Sequence, residues 1–224
     1  MTEQAGGGGS VALKPLILVP ALITFAVTLV RLTGELLGWS PTFFSREAGG
    51  GLAVVGIVWL VFVFGWIFAA KLIRTGHHPK SIGRAAGLAF LALLIIPATG
   101  FLGNALHFPP GGRRFLLSFT IASVVALLVG LRAWPALGRV LLAYGLAARI
   151  PVALVMLVAI LADWGTHYEK GPPQFPQMGA MAKWFWIGLL PQMTLWIAFT
   201  VVVGTLVGCL AALAAAWGRK PATA

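Results

Sequence analysis

The chain has 224 residues, 59% of them hydrophobic and only 9% charged, with a formal net charge of +11. A water-soluble domain carries roughly 25% charged residues, so this composition excludes a soluble globular body and indicates a polytopic membrane protein. The basic residues lie between apolar blocks and form no basic domain, which argues against nucleic acid, and a lone cysteine, Cys209, excludes an intramolecular disulfide or a Cys-rich metal site.

The opening AGGGGS predicts a flexible, disordered Gly-rich tail over residues 1–14. The apolar run beyond that tail reads as a first span rather than a cleaved leader, because it is too long and its flank is barely basic. Residues 15–218 form the membrane domain and 219–224 a basic C-terminal tail. Spanning the hydrocarbon core takes about 20 helical residues, and six blocks qualify: 16–38, 52–74, 84–107, 114–133, 136–162 and 184–217. The expected fold is therefore all-α, a bundle of six transmembrane helices with short loops.

In the first block, Thr24, Thr28, Arg31 and Glu35 follow the i, i+4, i+7, i+11 pattern and share a helical face, with Arg31 and Glu35 placed to pair. The second, LAVVGIVWLVFVFGWIFAA, has no polar side chain besides two indoles and is expected to face lipid over much of its surface. In the third, Gly100, Asn104 and His107 share a face one turn beyond Pro97. The fifth carries Arg149, and a continued helix would bring Asp163 and His167 within about 40° of the same line. The sixth is longer than a span requires and adds Gln192 beside Pro191. Its Thr200, Gly204, Gly208 and Ala212 form a stripe of small residues, expected to pack inside the molecule.

Charge asymmetry orients these spans. With the N-terminus inside, the inner segments hold Lys14, Lys71, Arg74, Lys80, Arg84, Arg132, Arg139, Arg219 and Lys220. The outer side holds Arg31, Arg46, Arg113, Arg114, Lys170 and Lys183. The excess predicts that both termini are cytoplasmic, in a bacterial cytoplasmic membrane. Trp39, Trp134, Trp164, Trp184, Trp186 and Trp217 fall near helix ends, as an interfacial aromatic belt requires.

No phosphate loop, nucleophile elbow or zinc-protease motif is present, so no catalytic residue and no cofactor is assigned. His107 and His167 share the outer face with carboxylates nearby and are weak metal candidates, but their spacing matches no metal motif. His77 and His78 read as solvated loop residues.

Arg149 differs in kind. No charged residue lies within nine positions of it, and it sits ten residues, about 15 Å of helix, from Arg139 at the inner end. That places it near the middle of a core about 30 Å thick, where a charge costs about 2.5–3.5 kcal/mol and normally faces the bundle interior. No carboxylate is expected at its depth. Carbonyls of Ala147 and Ile187, released by Pro151 and Pro191, are its expected partners, with Gln192, Thr28 and Tyr144 as side-chain candidates.

Three functions fit. The first is binding or transport of a small anion, carboxylate or lipid headgroup, through an outward cavity floored by Arg149 and lined by Arg31, Glu35, Asn104, Asp163 and Gln192. The second is an accessory or structural subunit of a larger membrane complex, in which Arg149 is structural. The third and weakest is a membrane-embedded enzyme using Glu35, His107, Asp163 and His167.

Overall fold

The structure, a computed structural model, describes residues 12–51, 53–109, 111–171, 173 and 175–218, and its secondary structure there is helical without strands. The helices are α1 (Leu13–Leu36), α2 (Leu60–Arg74), α3 (Ile82–Ala105), α4 (Arg113–Ala133), α5 (Pro135–Ala162) and the composite α6 (Ala180–Trp217). Five of them, all but α2, are long and apolar enough to cross a membrane. The expected tail loses Leu13 and Lys14 to α1, while residues 1–11 and the expected tail at 219–224 lie outside the described residues.

The second block departs most from expectation. Its helix begins only at Leu60 and runs for 15 residues, about 22 Å of rise against a core of about 30 Å. The described residues upstream are irregular, opening with a short 3-10 turn at Ala48–Gly50 in which Gly49 and Gly50 have positive φ. Glycine reaches that region without a Cβ penalty, so the chain turns at Gly49 to Gly51 just ahead of the expected 52–74 block, whose residues 53–59 are irregular. The connection 37–59 is consequently long rather than short.

The fifth block also ends earlier than its expected stripe. Asp163 adopts φ 50° and ψ 55°, a left-handed C-cap, so the helix stops at Ala162 and His167 lies in the following loop.

The main apolar core joins α2, α5 and α6 through Phe64, Phe68, Leu72, Leu137, Leu141 and Val201. Tyr144 stands at its centre, with the rings of Phe64 and Phe68 set edge-on at 5.4 and 5.5 Å. Trp134, expected in the aromatic belt, is instead a core residue only 1% exposed, and its indole N–H donates to the His77 carbonyl at 3.1 Å.

Small residues bring α2 against α6. A Cβ on Gly65 would lie 2.9 Å from Cα of Gly204, and one on Gly208 would lie 2.3 Å from Cδ2 of Leu137. The stripe Thr200, Gly204, Gly208 and Ala212 is buried and packs within the molecule. Close backbone approach of this kind is how helices associate where lipid removes the hydrophobic drive.

The N-terminal part of α6 is distorted. A π-helical turn spans Trp184–Leu189, followed by Leu190–Met193 and a regular helix from Leu195. Pro191 cannot donate to the Ile187 carbonyl, and the wider turn absorbs the missing bond. Gln192 lies just beyond this turn and is buried.

Candidate functional site

Two buried arginines, Arg31 on α1 and Arg149 midway along α5, line one cavity and are used differently. Arg31, one turn from the end of α1, is held by four hydrogen bonds. Its Nε donates to Glu35 Oε1 at 2.9 Å, NH1 to the Val55 carbonyl at 3.0 Å, and NH2 to Gly50 at 2.9 Å and Ser45 at 3.3 Å. One guanidinium thus ties the carbonyls of Ser45, Gly50 and Val55 to α1, pairing backbone groups that lie outside any α-helix.

Glu35 is fully buried and equally committed. Besides Arg31, it accepts the His167 backbone N–H at 2.9 Å on Oε2 and contacts His167 Nδ1 at 2.5 Å on Oε1. Arg46 donates to the Glu35 carbonyl at 2.7 Å. The 163–171 loop is fastened to α1 a second time by Tyr168, whose hydroxyl donates to the Thr28 carbonyl at 3.2 Å. Glu169 stiffens the loop by accepting the Trp164 N–H at 2.9 Å.

Burial and the adjacent Arg31 charge hold the His167 imidazole below its ordinary value, against the pull of Glu35. The cause is charge balance. Arg31 already neutralises Glu35, so a proton on His167 would add net charge to a buried cluster.

Arg149 has no such set of partners among the described residues. It is 5% exposed, and its one hydrogen bond there is from NH1 to Gln192 Oε1 at a long 3.4 Å. The guanidinium carbon lies 4.7 Å from the ring centroid of Trp196, a cation–π arrangement. Among the described residues no carboxylate is within ion-pair distance of it. The expected helix carbonyls do not hold it, and neither does Tyr144 or Thr28. The Tyr144 hydroxyl is engaged with Thr24 Oγ1 at 2.8 Å, and the Thr28 hydroxyl donates to the Thr24 carbonyl at 2.9 Å.

Both arginines line a cavity of about 210 Å³, together with Gln192, His167, Lys170 and Trp196. Its remaining walls are largely apolar, from Ile57, Val152, Met156 and Ile187. A second hollow of about 410 Å³ adjoins it, sharing Lys170, Gly171 and Ile187 and adding Lys183. The two form a mouth and an inner chamber. Gln192 bridges from Arg149 to the chamber wall, its Nε2 donating to Met156 Sδ at 3.6 Å.

Of the residues singled out from sequence, Arg31, Arg149, Gln192 and His167 therefore come together around one chamber, with Glu35 directly behind Arg31 and His167. Asn104 and His107 do not join them. They are exposed at the end of α3, which packs on α4 and α6. Asp163 is also exposed, because its left-handed turn ends the helix that would have carried it inward. Among the described residues no group of three or more His, Cys, Asp or Glu comes together. Sequence reasoning missed Trp196 and Lys170. Trp196 was findable, since it lies four residues after Gln192 and so on the same helical face.

No family model matches this chain, no curated protein matches it, and no solved structure matches it.

Proposed function

We propose that the chain is a six-span protein of the bacterial cytoplasmic membrane, with both termini inside, that binds or transports a small anionic ligand taken from the outer side. In this reading α2 is a short sixth span completed by the irregular segment before it. Irregular backbone at membrane depth is tolerated where it is buried in protein or lines a cavity, and Ile57 and Val58 do line the chamber.

One observation carries the anion reading. Arg149 is a nearly fully buried cation with one long hydrogen bond and no counter-charge among the described residues, and it faces a cavity. A buried charge is ordinarily paired, and an anionic ligand would complete this one. Lys170 and Lys183 at the mouth would raise the local concentration of anions.

The test is ligand-induced thermal stabilisation of purified protein across a panel of anions, with Arg149→Lys as control. At least one anion should stabilise the native chain, and Arg149→Lys should fold but lose the effect, since a point charge does not replace a planar fork. If no anion has an effect and Arg149→Leu is strongly destabilised, Arg149 is a structural residue and the accessory-subunit reading takes precedence. Sidedness is tested by reporters: one within residues 75–80 should read cytoplasmic and one beside Pro173 external. A cytoplasmic signal at Pro173 would place the chamber on the opposite face.

A further inference from the structure

We infer that the ligand of the Arg149 chamber is a small organic monocarboxylate with a compact apolar body, about the size of benzoate; this rests on the anion-binding reading above. Charge sets the first limit. Arg31 is matched by Glu35, and Lys170 is exposed at the mouth, so the buried end of the chamber holds one uncompensated positive charge, on Arg149. A monoanion neutralises it. A dianion such as sulfate would leave a net negative charge in a low-dielectric site, where unpaired charge is strongly disfavoured.

The donor geometry sets the second limit. A guanidinium fork matches the two oxygens of a carboxylate, and only NH1 of Arg149 is engaged, through a long bond. Gln192 Nε2 reaches only the Met156 sulfur at 3.6 Å. Thioether sulfur is a weak acceptor, so that N–H is readily exchanged for a carboxylate oxygen.

The walls set the third. Ile57, Val152, Met156, Ile187 and the Trp196 ring would stand against water if the occupant were an inorganic ion. They suit a ligand that is apolar beyond its head. An apolar cavity of about 150 Å³ accepts benzene, and this chamber of about 210 Å³ has room for the ring and a carboxylate besides. A long acyl chain does not fit that volume. The lysines of the adjoining mouth indicate entry from water rather than from the lipid tails.

The experiment is calorimetric titration of the full-length protein in detergent with benzoate, its neutral isostere benzamide, acetate, sulfate and dodecanoate. Benzoate should bind saturably at one site per chain, with benzamide and sulfate at least tenfold weaker. Arg149→Gln should lose benzoate by more than tenfold. Because that variant alters a buried residue, Val152→Phe supplies a second test: filling the apolar end should exclude benzoate and leave acetate bound. Sulfate binding more tightly than benzoate through Arg149 overturns the carboxylate assignment while leaving the anion reading intact. Benzamide binding as well as benzoate, or dodecanoate displacing benzoate at lower concentration, also overturns it. Failure of every anion to bind overturns both.

Discussion

Replacing Arg149 with leucine should leave the protein as stable as the native chain or more so, whereas the same replacement at Arg31 should weaken it severely. Arg31→Leu removes bonds to three loop carbonyls and leaves Glu35, fully buried, without its cationic partner. Breaking a buried pair from one side costs about 3–5 kcal/mol. At about 2–4 °C per kcal/mol for a chain of this size, the melting temperature should fall by roughly 6–20 °C. Arg149→Leu forfeits a cation–π contact of up to about 2 kcal/mol and a stretched hydrogen bond of about 0.5 kcal/mol. It also removes a charge that costs about 2.5–3.5 kcal/mol at mid-membrane and supplies a leucine favoured there by about 0.5 kcal/mol. The net change lies between about 0.5 and 3.5 kcal/mol in favour of leucine, a rise of roughly 1–14 °C. Intrinsic tryptophan fluorescence during heating in detergent measures both variants. If Arg149→Leu melts as far below the native protein as Arg31→Leu, the distinction drawn between the two arginines is wrong.

Acidification should loosen the 163–171 loop. The folded His167 value lies below 6.5, so as pH falls through 6.5 the unfolded chain takes up a proton before the folded one does. The stability lost on that descent should appear as a falling melting temperature, and His167→Asn should flatten the limb. Gly65→Ala should destabilise by about 1–3 kcal/mol, because its new methyl would sit 2.9 Å from Cα of Gly204 and force α2 off α6. An unchanged melting temperature for Gly65→Ala would mean that the two helices separate freely.

The helical class and five long apolar helices were legible because unbroken apolar blocks are the strongest signal a sequence carries. Arg149 was legible for the same reason, as a charge at the centre of such a block. Hydropathy did not reveal that the helix of the 52–74 block starts only at Leu60, since it weighs side chains and is blind to backbone pairing such as the bond from Arg31 to the Val55 carbonyl. Arg31 and Glu35 could be paired from their i, i+4 spacing, but their loop partners Val55, Gly50 and His167 could not. Those contacts depend on how two irregular connections fold over the helix ends, which no period encodes. The stripe drawn through Asp163 and His167 failed because it extended helical geometry past a residue that caps the helix. The short run Asp163-Trp164-Gly165 carries turn chemistry that could have stopped the extrapolation.

The brevity of α2 bears on the lipids around the protein. In the six-span reading proposed above, α1 presents a helical flank of about 36 Å and α2 one of about 22 Å, so the annulus meets two thicknesses on one small molecule. A helix shorter than the hydrocarbon layer is accommodated by thinning, at fractions of a kcal/mol per Å. Phe62, Val63, Trp66 and Ile67 of α2 are exposed and make that short flank directly accessible. Short-chain lipids should therefore gather there, and in reconstituted vesicles the protein should be more stable in thin bilayers than in thick ones. Membrane thickness, quite apart from any ligand, thereby becomes a variable that acts on the same irregular segment that walls the chamber.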